Sequence, residues 1–184
     1  MEDAVYVVEF RSISYGIGAL DRMVKNARVS VLYAGPICIG KYLVALGGDV
    51  ADVLEAKEIG EAAGSPCVIS AYLLTGAHPT ILGYFSKKQR IASLTPESVG
   101  IFETKNAASG FMSLDAALKS GHVELLRLWL GQYLGGKFCY VVHGTLSDVQ
   151  EAVKAARSAV AMLELVGDEV IASPDKATLS LLTR

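Results

Sequence analysis

The sequence contains an internal repeat, which limits the chain to folds built from two equivalent units. Residues 5–32 can be laid over residues 99–126 at an offset of 94, so that Glu9 falls on Glu103. Further along the chain the offset becomes 96, because the second copy carries two extra residues just before Gly131. Self-similarity over most of a chain of 184 residues indicates two homologous domains in tandem.

Each copy shows the same order of secondary-structure signals. A strand rich in β-branched residues comes first and is followed by an amphipathic helix. Two strands around a glycine-containing loop, a second helix and a last strand then follow. This βαββαβ order predicts a ferredoxin-like α+β fold with helices on one face of an antiparallel sheet, twice over. We expect a first domain at 1–80, a linker at 81–97 and a second domain at 98–184.

Element boundaries follow from the same patterns. In the first copy we predict a helix at 17–27 and strands at 4–10, 29–34, 42–46 and 67–74. Thr145 and Asp148 have the T-x-x-D spacing of a capping box at the second helix, and Asp49 and Asp52 repeat that spacing in the first copy. We therefore expect Thr145 and Asp49 to cap these helices through their side chains.

Composition excludes several classes of protein. Hydrophobic residues make up 52% of the chain and charged residues 20%, which is typical of a folded protein, and a net charge of -2 offers no positive field for nucleic acid. The apolar stretch at 29–48 contains Pro36 and Lys41 and does not predict a membrane span, and the acidic N-terminus lacks the features of a signal peptide. The mean hydropathy of +0.39 then indicates extensive subunit contacts. We expect a cytoplasmic protein that binds neither nucleic acid nor membrane.

Patterns for catalysis and nucleotide binding are weak. Residues 35–41 and 131–137 both match G-x-x-x-x-G-K, but Tyr42 and Phe138 follow where a phosphate loop continues with Ser or Thr into a helix. The three histidines are scattered and show no metal-ligand spacing. The repeated strand glutamate favours a structural role, as a partner for backbone amides or for a neighbouring subunit, over a catalytic one. We therefore expect that the protein is not an enzyme.

Several motifs together carry a family resemblance. They are the strand glutamate, Leu-Asp-x-x-x-Lys on the first helix, a glycine-containing loop before Gly-Lys, and Gly-Asp-Val-x-x-Val at the second helix. This combination resembles the shell domain of bacterial microcompartments, and its duplication resembles the tandem-domain (BMC-T) shell proteins. The resemblance implies a homotrimer that mimics a hexamer, other shell proteins as partners, and a place in the microcompartment shell. It also implies that Lys25 and Lys119 are edge lysines through which shell oligomers lie side by side.

The loop around Cys38 resembles that of one group of tandem-domain shell proteins. This loop, Pro-Ile-Cys-Ile-Gly-Lys, is similar to that of the iron–sulfur shell proteins of propanediol-utilisation compartments. The repeat places Leu134 opposite Cys38, so the scaffold itself does not require sulfur there, whereas we interpret Cys67 and Cys139 as small hydrophobic strand residues. Iron–sulfur clusters usually take four cysteine ligands. If the loop faces a three-fold axis, three chains supply three thiolates to one cluster.

The resemblance therefore implies a central pore with an iron–sulfur cluster, a [4Fe-4S] centre shared by three subunits. Such a cluster would relay electrons across the shell, with an encapsulated or cytosolic redox enzyme as a further partner. A passive metabolite pore without a cluster, or a ferredoxin-like small-molecule sensor, stays open as an alternative. The expected metal ligand is Cys38, and the expected loop residues are Gly35, Pro36, Ile37, Cys38, Ile39 and Gly40 in the first domain and Gly131, Gln132, Tyr133, Leu134, Gly135 and Gly136 in the second.

Overall fold

The computed structural model describes residues 4–85, 97–131 and 134–182. Within these ranges it contains eight strands and six helices. The first half of the chain forms β1 (Ala4–Phe10), α1 (Ile13–Asn26), β2 (Ser30–Ile37), β3 (Lys41–Gly48), α2 (Val50–Gly64), β4 (Val68–Thr75) and α3 (Pro79–Phe85). The second half forms β5 (Ser98–Thr104), α4 (Ala107–Ser120), β6 (Glu124–Leu130), β7 (Phe138–Gly144), α5 (Leu146–Ala159), β8 (Leu165–Ala172) and α6 (Lys176–Leu182).

The strands form two four-stranded sheets of identical topology. Their orders are β2-β3-β1-β4 and β6-β7-β5-β8, and every neighbouring pair is antiparallel. Each sheet draws its strands from one half of the chain and carries its own pair of long helices. The predicted fold class, two ferredoxin-like α+β units in tandem, is confirmed.

The central strands of the first sheet, β1 and β3, are buried on both faces. All seven residues of β1 are buried, although a half-buried strand would alternate apolar and polar residues. Tyr6 and Val8 belong to the core beneath α1 and α2, whereas Val5 and Val7 belong to a second core that includes residues of α4. The continuous apolar run in β1 therefore reflects a strand covered by its own domain on one side and by the second domain on the other.

Helix α4 lies between the two sheets. It packs on β5 and β7 of its own sheet and also contacts β1 and β4 of the first sheet. Ten of its fourteen residues are buried, compared with only three of fourteen in the equivalent helix α1. The two halves of the chain therefore share one apolar interface, built around α4.

The predicted side-chain cap is present at the second helix of the second domain and absent at that of the first. Thr145 is the N-cap of α5, and its Oγ accepts the Asp148 backbone N–H at 3.3 Å, which confirms the predicted cap. Asp49 is the N-cap of α2, but its side chain makes no capping hydrogen bond, so that part of the prediction is wrong. The first helices begin at equivalent caps, Ser12 for α1 and Asn106 for α4.

Several boundaries differ from the expected ones. Helix α1 begins four residues earlier than predicted, because Ser12 caps it and a first turn of exposed apolar residues follows. Strand β2 continues through Pro36, which the sequence places in a loop, because β2 is an edge strand and an edge tolerates a residue without an N–H. Cys67 comes one residue before β4 rather than within it.

Helix α3 lies partly within the segment expected to be a linker. It begins with Pro79, which suits the first position of a helix because the N–H missing there has no helical partner. Ile81 is fully buried in the core between the domains, and the Phe85 ring lies 5.1 Å from that of Phe111 on α4. The start of this segment is therefore packed structure. Among the described helices, none is both long and apolar enough to cross a bilayer.

Candidate functional site

The loops that follow β2 and β6 lie against each other. Cys38, Ile39 and Gly40 form the turn of the first loop, and Leu134, Gly135 and Gly136 form the turn of the second. A Cβ atom added to Gly136 would lie 3.2 Å from the Cys38 carbonyl oxygen, which is closer than most side-chain contacts. The equivalent loops of the two domains are therefore neighbours.

Glycine is required at this contact for two reasons. Gly136 has a φ of 81° and Gly131 a φ of 65°, in the left-handed region that other residues avoid. A Cβ on Gly131 would also come within 2.9 Å of the Ile37 Cβ. The glycines of the second loop thus allow it to approach the first loop closely.

The first loop is shorter than the sequence suggests. Gly35, Pro36 and Ile37 were expected in the loop, but they form the end of β2, so only three residues separate the strands. Ile39 has a φ of 48°, which is strained for a β-branched residue, and its side chain is 80% exposed. Cys38 beside it is half-buried. In the second loop, Gln132 and Tyr133 lie outside the described residues.

The three cysteines occupy different environments. Cys139 lies in β7 and is half-buried, and burial, assisted by Glu103, raises the pKa of its thiol to about 11. A thiol of this kind is protonated at neutral pH and a poor metal ligand. Within the described part of one chain, no group of three or more His, Cys, Asp or Glu side chains could hold a metal ion.

A buried carboxylate joins the first loop to the second domain. Glu9 is fully buried, and one of its oxygens accepts a hydrogen bond from the backbone N–H of Ala107, the first residue of α4. Its other oxygen accepts from Lys41 Nζ at 3.1 Å. Burial raises the pKa of Glu9, although Lys41 and the helix amide both favour the charged form. Glu9 thus has the structural role that the repeat predicts.

The second domain repeats half of this arrangement. Lys137 Nζ lies 2.9 Å from Glu103 Oε1, as Lys41 pairs with Glu9 in the first domain. The Glu103 side chain is 33% exposed, in contrast to the fully buried Glu9. We did not expect the two lysines to be partners of the glutamates. Their recurrence at one repeat position, directly after each loop, was the available signal.

The two expected edge lysines occupy equivalent positions near the ends of α1 and α4. Lys25 Nζ donates to Asp21 at 2.7 Å, and Lys119 Nζ donates to Asp115 at 2.5 Å. The motif Leu-Asp-x-x-x-Lys therefore encodes an ion pair across one helical turn. Asp115 also accepts the His78 backbone N–H at 2.8 Å, and so ties the end of the first domain to α4. No sequence pattern indicates this second contact.

Comparison with known proteins identifies the fold family. The BMC domain model matches residues 4–76 and 98–174. The shell protein PduT of Citrobacter freundii is 35% identical over 156 residues, which cover 85% of this chain and 84% of that protein. Among solved structures, a microcompartment protein from Desulfitobacterium hafniense is similar at a TM-score of 0.86 with 32% identity, covering 98% of this chain and 99% of that one. The fused permuted hexameric shell protein of the RMM microcompartment has the same fold, at a TM-score of 0.60 and 18% identity over 86% of this chain and 84% of that one.

Proposed function

Because the chain belongs to the BMC domain family, we propose that three copies form a ring of six domains that tiles into a microcompartment shell and holds an iron–sulfur cluster at its centre. The chain is a structural shell protein of the PduT type. Family membership does not show the trimer, the cluster or the electron relay, and these three features are what we propose. We thus place the protein in the shell rather than among the enzymes that a shell encloses.

The contact between the loops carries the proposal. Within one chain, the turn containing Cys38 lies against the turn containing Gly136, so equivalent loops of adjacent domains meet. If the same contact recurs between chains, the loops of all six domains surround one axis. Three copies of Cys38 would then alternate with three copies of Leu134 around the opening.

The chemistry of Cys38 suits a shared cluster. Each chain contributes one thiol from a short turn, and three thiolates leave one iron of a [4Fe-4S] centre for a ligand from outside. When bound, the cluster would supply one-electron transfer between the two sides of the shell. The chain's own contribution is to fix the turn, through the adjacent strand pair of Ile37 with Lys41 and the ion pair of Lys41 with Glu9. A redox enzyme inside or outside the compartment would exchange the electrons.

Lys25 and Lys119 are assigned to the outer edges of the ring. They occupy equivalent positions in the last turns of α1 and α4, so that a ring of three chains would present six of them. Lys25 has a side chain that is 69% exposed. We assign these lysines to contacts with neighbouring trimers and with other shell proteins.

A passive metabolite pore is the second candidate function. It is favoured by Ile39, whose side chain is 80% exposed beside Cys38 and would make the opening partly apolar. In this case the protein would form the same ring and the same sheets, but bind no iron.

Replacement of Cys38 separates the two candidates. Protein purified without oxygen, or reconstituted with iron and sulfide, should contain iron and absorb broadly in the visible range. Cys38→Ser should lose both properties and remain a trimer, because a serine hydroxyl is a much poorer ligand for this centre. Cys67→Ser and Cys139→Ser are the matched controls and should keep the iron. Full iron content in Cys38→Ser would overturn the cluster assignment, and colourless wild-type protein after reconstitution would leave the passive pore.

A further inference from the structure

We infer that Glu103 accepts a hydrogen bond from the first backbone amide of α1, at Ile13, of a neighbouring copy of the chain. The partner is a second copy, and the inference rests on the proposed ring. It identifies the residue that joins one chain to the next. Within one chain an equivalent contact joins the two domains, and each of its two sides recurs once more elsewhere on the chain.

The complete version of this contact lies between the two domains of one chain. Glu9, paired with Lys41, accepts a hydrogen bond from the N–H of Ala107 at the start of α4. Ala107 follows the N-cap residue Asn106 and is 1% exposed. A carboxylate at this position also interacts favourably with the positive end of the helix.

The acceptor half of the same contact recurs on the second sheet. Glu103 occupies the repeat position of Glu9, and Lys137 pairs with it as Lys41 does with Glu9. The surrounding face is less covered than its counterpart on the first sheet. Cys139, for example, is half-buried, whereas Leu43 at the equivalent position is fully buried.

The donor half of the contact recurs on α1. Ser12 caps this helix as Asn106 caps α4, so Ile13 takes the place of Ala107. The outer face of α1 carries exposed apolar side chains, with Ile13 40% and Ile17 50% exposed. Their repeat counterparts on α4 are buried: Ala107, which donates to Glu9 of the first sheet, is 1% exposed, and Phe111, which lies between Phe85 of α3 and Phe138, is 0% exposed.

Glu103 lies in the second domain and Ile13 in the first. The contact that already joins these two domains uses Glu9 and Ala107 instead. A contact that joins the second domain of one copy to the first domain of the next is head-to-tail, and such contacts close into rings when the rotation permits. The existing contact between domains supplies the geometry for this one. A second copy of the chain is therefore the partner that fits both surfaces.

Proline at position 13 tests the donor. Proline suits the first position of a helix, and Ser12 before it already has the extended conformation that proline requires, with φ -122° and ψ 128°. Ile13→Pro thus removes the N–H while α1 is retained, and Ile13→Ala shortens the same side chain with the N–H intact. By sedimentation, Ile13→Pro should weaken trimer association about ten- to a hundredfold per interface relative to Ile13→Ala, the loss typical of a hydrogen bond to a charged group.

Glu103→Ala tests the acceptor, with Glu151→Ala as its control. Glu151 is also a carboxylate near a lysine, Lys154 at 3.6 Å, but it lies on the exposed face of α5. Glu103→Ala should weaken association by about the same factor as Ile13→Pro, and Glu151→Ala should leave it unchanged. Circular dichroism of each variant serves as the control that its chains are folded. In the double variant Ile13→Pro/Glu103→Ala the two losses of association should not add, because each substitution removes the same hydrogen bond.

The outcomes separate this inference from the proposed function. If the wild-type protein is a trimer and Ile13→Pro associates as well as Ile13→Ala, the inference is wrong and the ring stands. Fully additive effects of the two substitutions would also overturn it. A wild-type protein that stays monomeric at every concentration tested would overturn both the inference and the ring.

Discussion

At the scale of single residues, Asp115 connects parts of the chain that are far apart in sequence. It is 7% exposed and accepts hydrogen bonds from Lys119 Nζ and from the backbone N–H of His78. His78 Nδ1 in turn accepts the Thr80 N–H at 3.3 Å, where the chain enters α3. Burial lowers the pKa of His78, opposed by the Asp115 carboxylate and assisted by Lys119. Protonation of His78 therefore opposes this junction between the domains.

The lowered pKa of His78 predicts a loss of stability in acid. A histidine whose pKa is lower in the folded chain binds more protons when unfolded, so the free energy of unfolding decreases as the pH falls below about 6.5. His78→Asn keeps an acceptor for the Thr80 N–H and cannot be protonated. Urea unfolding at pH 7 and pH 5 should show a smaller loss for His78→Asn than for the wild type. An equal loss in both proteins would show that His78 does not contribute.

At the scale of elements, close packing of α1 and α4 on their sheets depends on glycine. Gly16 and Gly110 occupy equivalent positions in these helices. Gly16 lies against Tyr42 near the start of β3, and Gly110 lies against Phe138 at the start of β7. A Cβ on Gly16 would lie 2.6 Å from the Tyr42 ring, and one on Gly110 would overlap the Phe138 ring. The repeat therefore preserves a glycine–aromatic contact as well as the order of elements.

Alanine substitutions measure this contact. Gly110→Ala should lower the free energy of unfolding by about 1–3 kcal/mol, because the added methyl group forces a fully buried aromatic ring to move. Gly18 lies in α1 with no atom within 4 Å of an added Cβ, so Gly18→Ala should leave stability unchanged or raise it by up to about 1 kcal/mol. Chemical unfolding of both variants checks this. Equal effects would contradict the packing assigned to α4.

The sequence predicts the elements better than it predicts their contacts. Strand patterns and the repeat were sufficient for both sheets, because each βαββαβ unit is encoded locally. The short helix α3 was missed because seven residues are too few to show helical periodicity. The partner of Glu9 was missed because Ala107 is 98 residues away, and no local pattern indicates that α4 covers the first sheet. Only the repeat of Glu9 at Glu103 indicated a structural role.

At the scale of the whole molecule, the described residues form one contact between the two domains, and the surfaces around Glu103 and Ile13 are the repeat counterparts of its two sides. Helix α4 covers the face of the first sheet that carries Val5 and Val7, whereas the matching face of the second sheet is covered in part by α6, through Leu179 and Leu182. In the proposed ring, the surfaces around Glu103 and Ile13 would be buried against neighbouring copies. The high mean hydropathy of +0.39 agrees with such an assembly, because surface exposed in one chain becomes buried.

Tiling of the rings should depend on the edge lysines. Lys25→Asp combined with Lys119→Asp should leave trimers in solution but abolish flat sheets seen by electron microscopy, since like charges would meet at every edge. Lys154→Asp, at another exposed lysine of a long helix, is the matched control and should still form sheets. Lys119→Asp alone should cost more stability than Lys25→Asp, because it faces the nearly buried Asp115. Normal sheets from the double variant would mean that the edges lie elsewhere.

Native mass spectrometry of protein purified without oxygen tests the ring and its cluster together. We expect a single species with the mass of three 19.5 kDa chains plus one iron–sulfur cluster. Cys38→Ser should give three chains with no added mass. A monomer, or a trimer that carries no cluster even after reconstitution with iron and sulfide, would contradict the proposal that three chains close around Cys38.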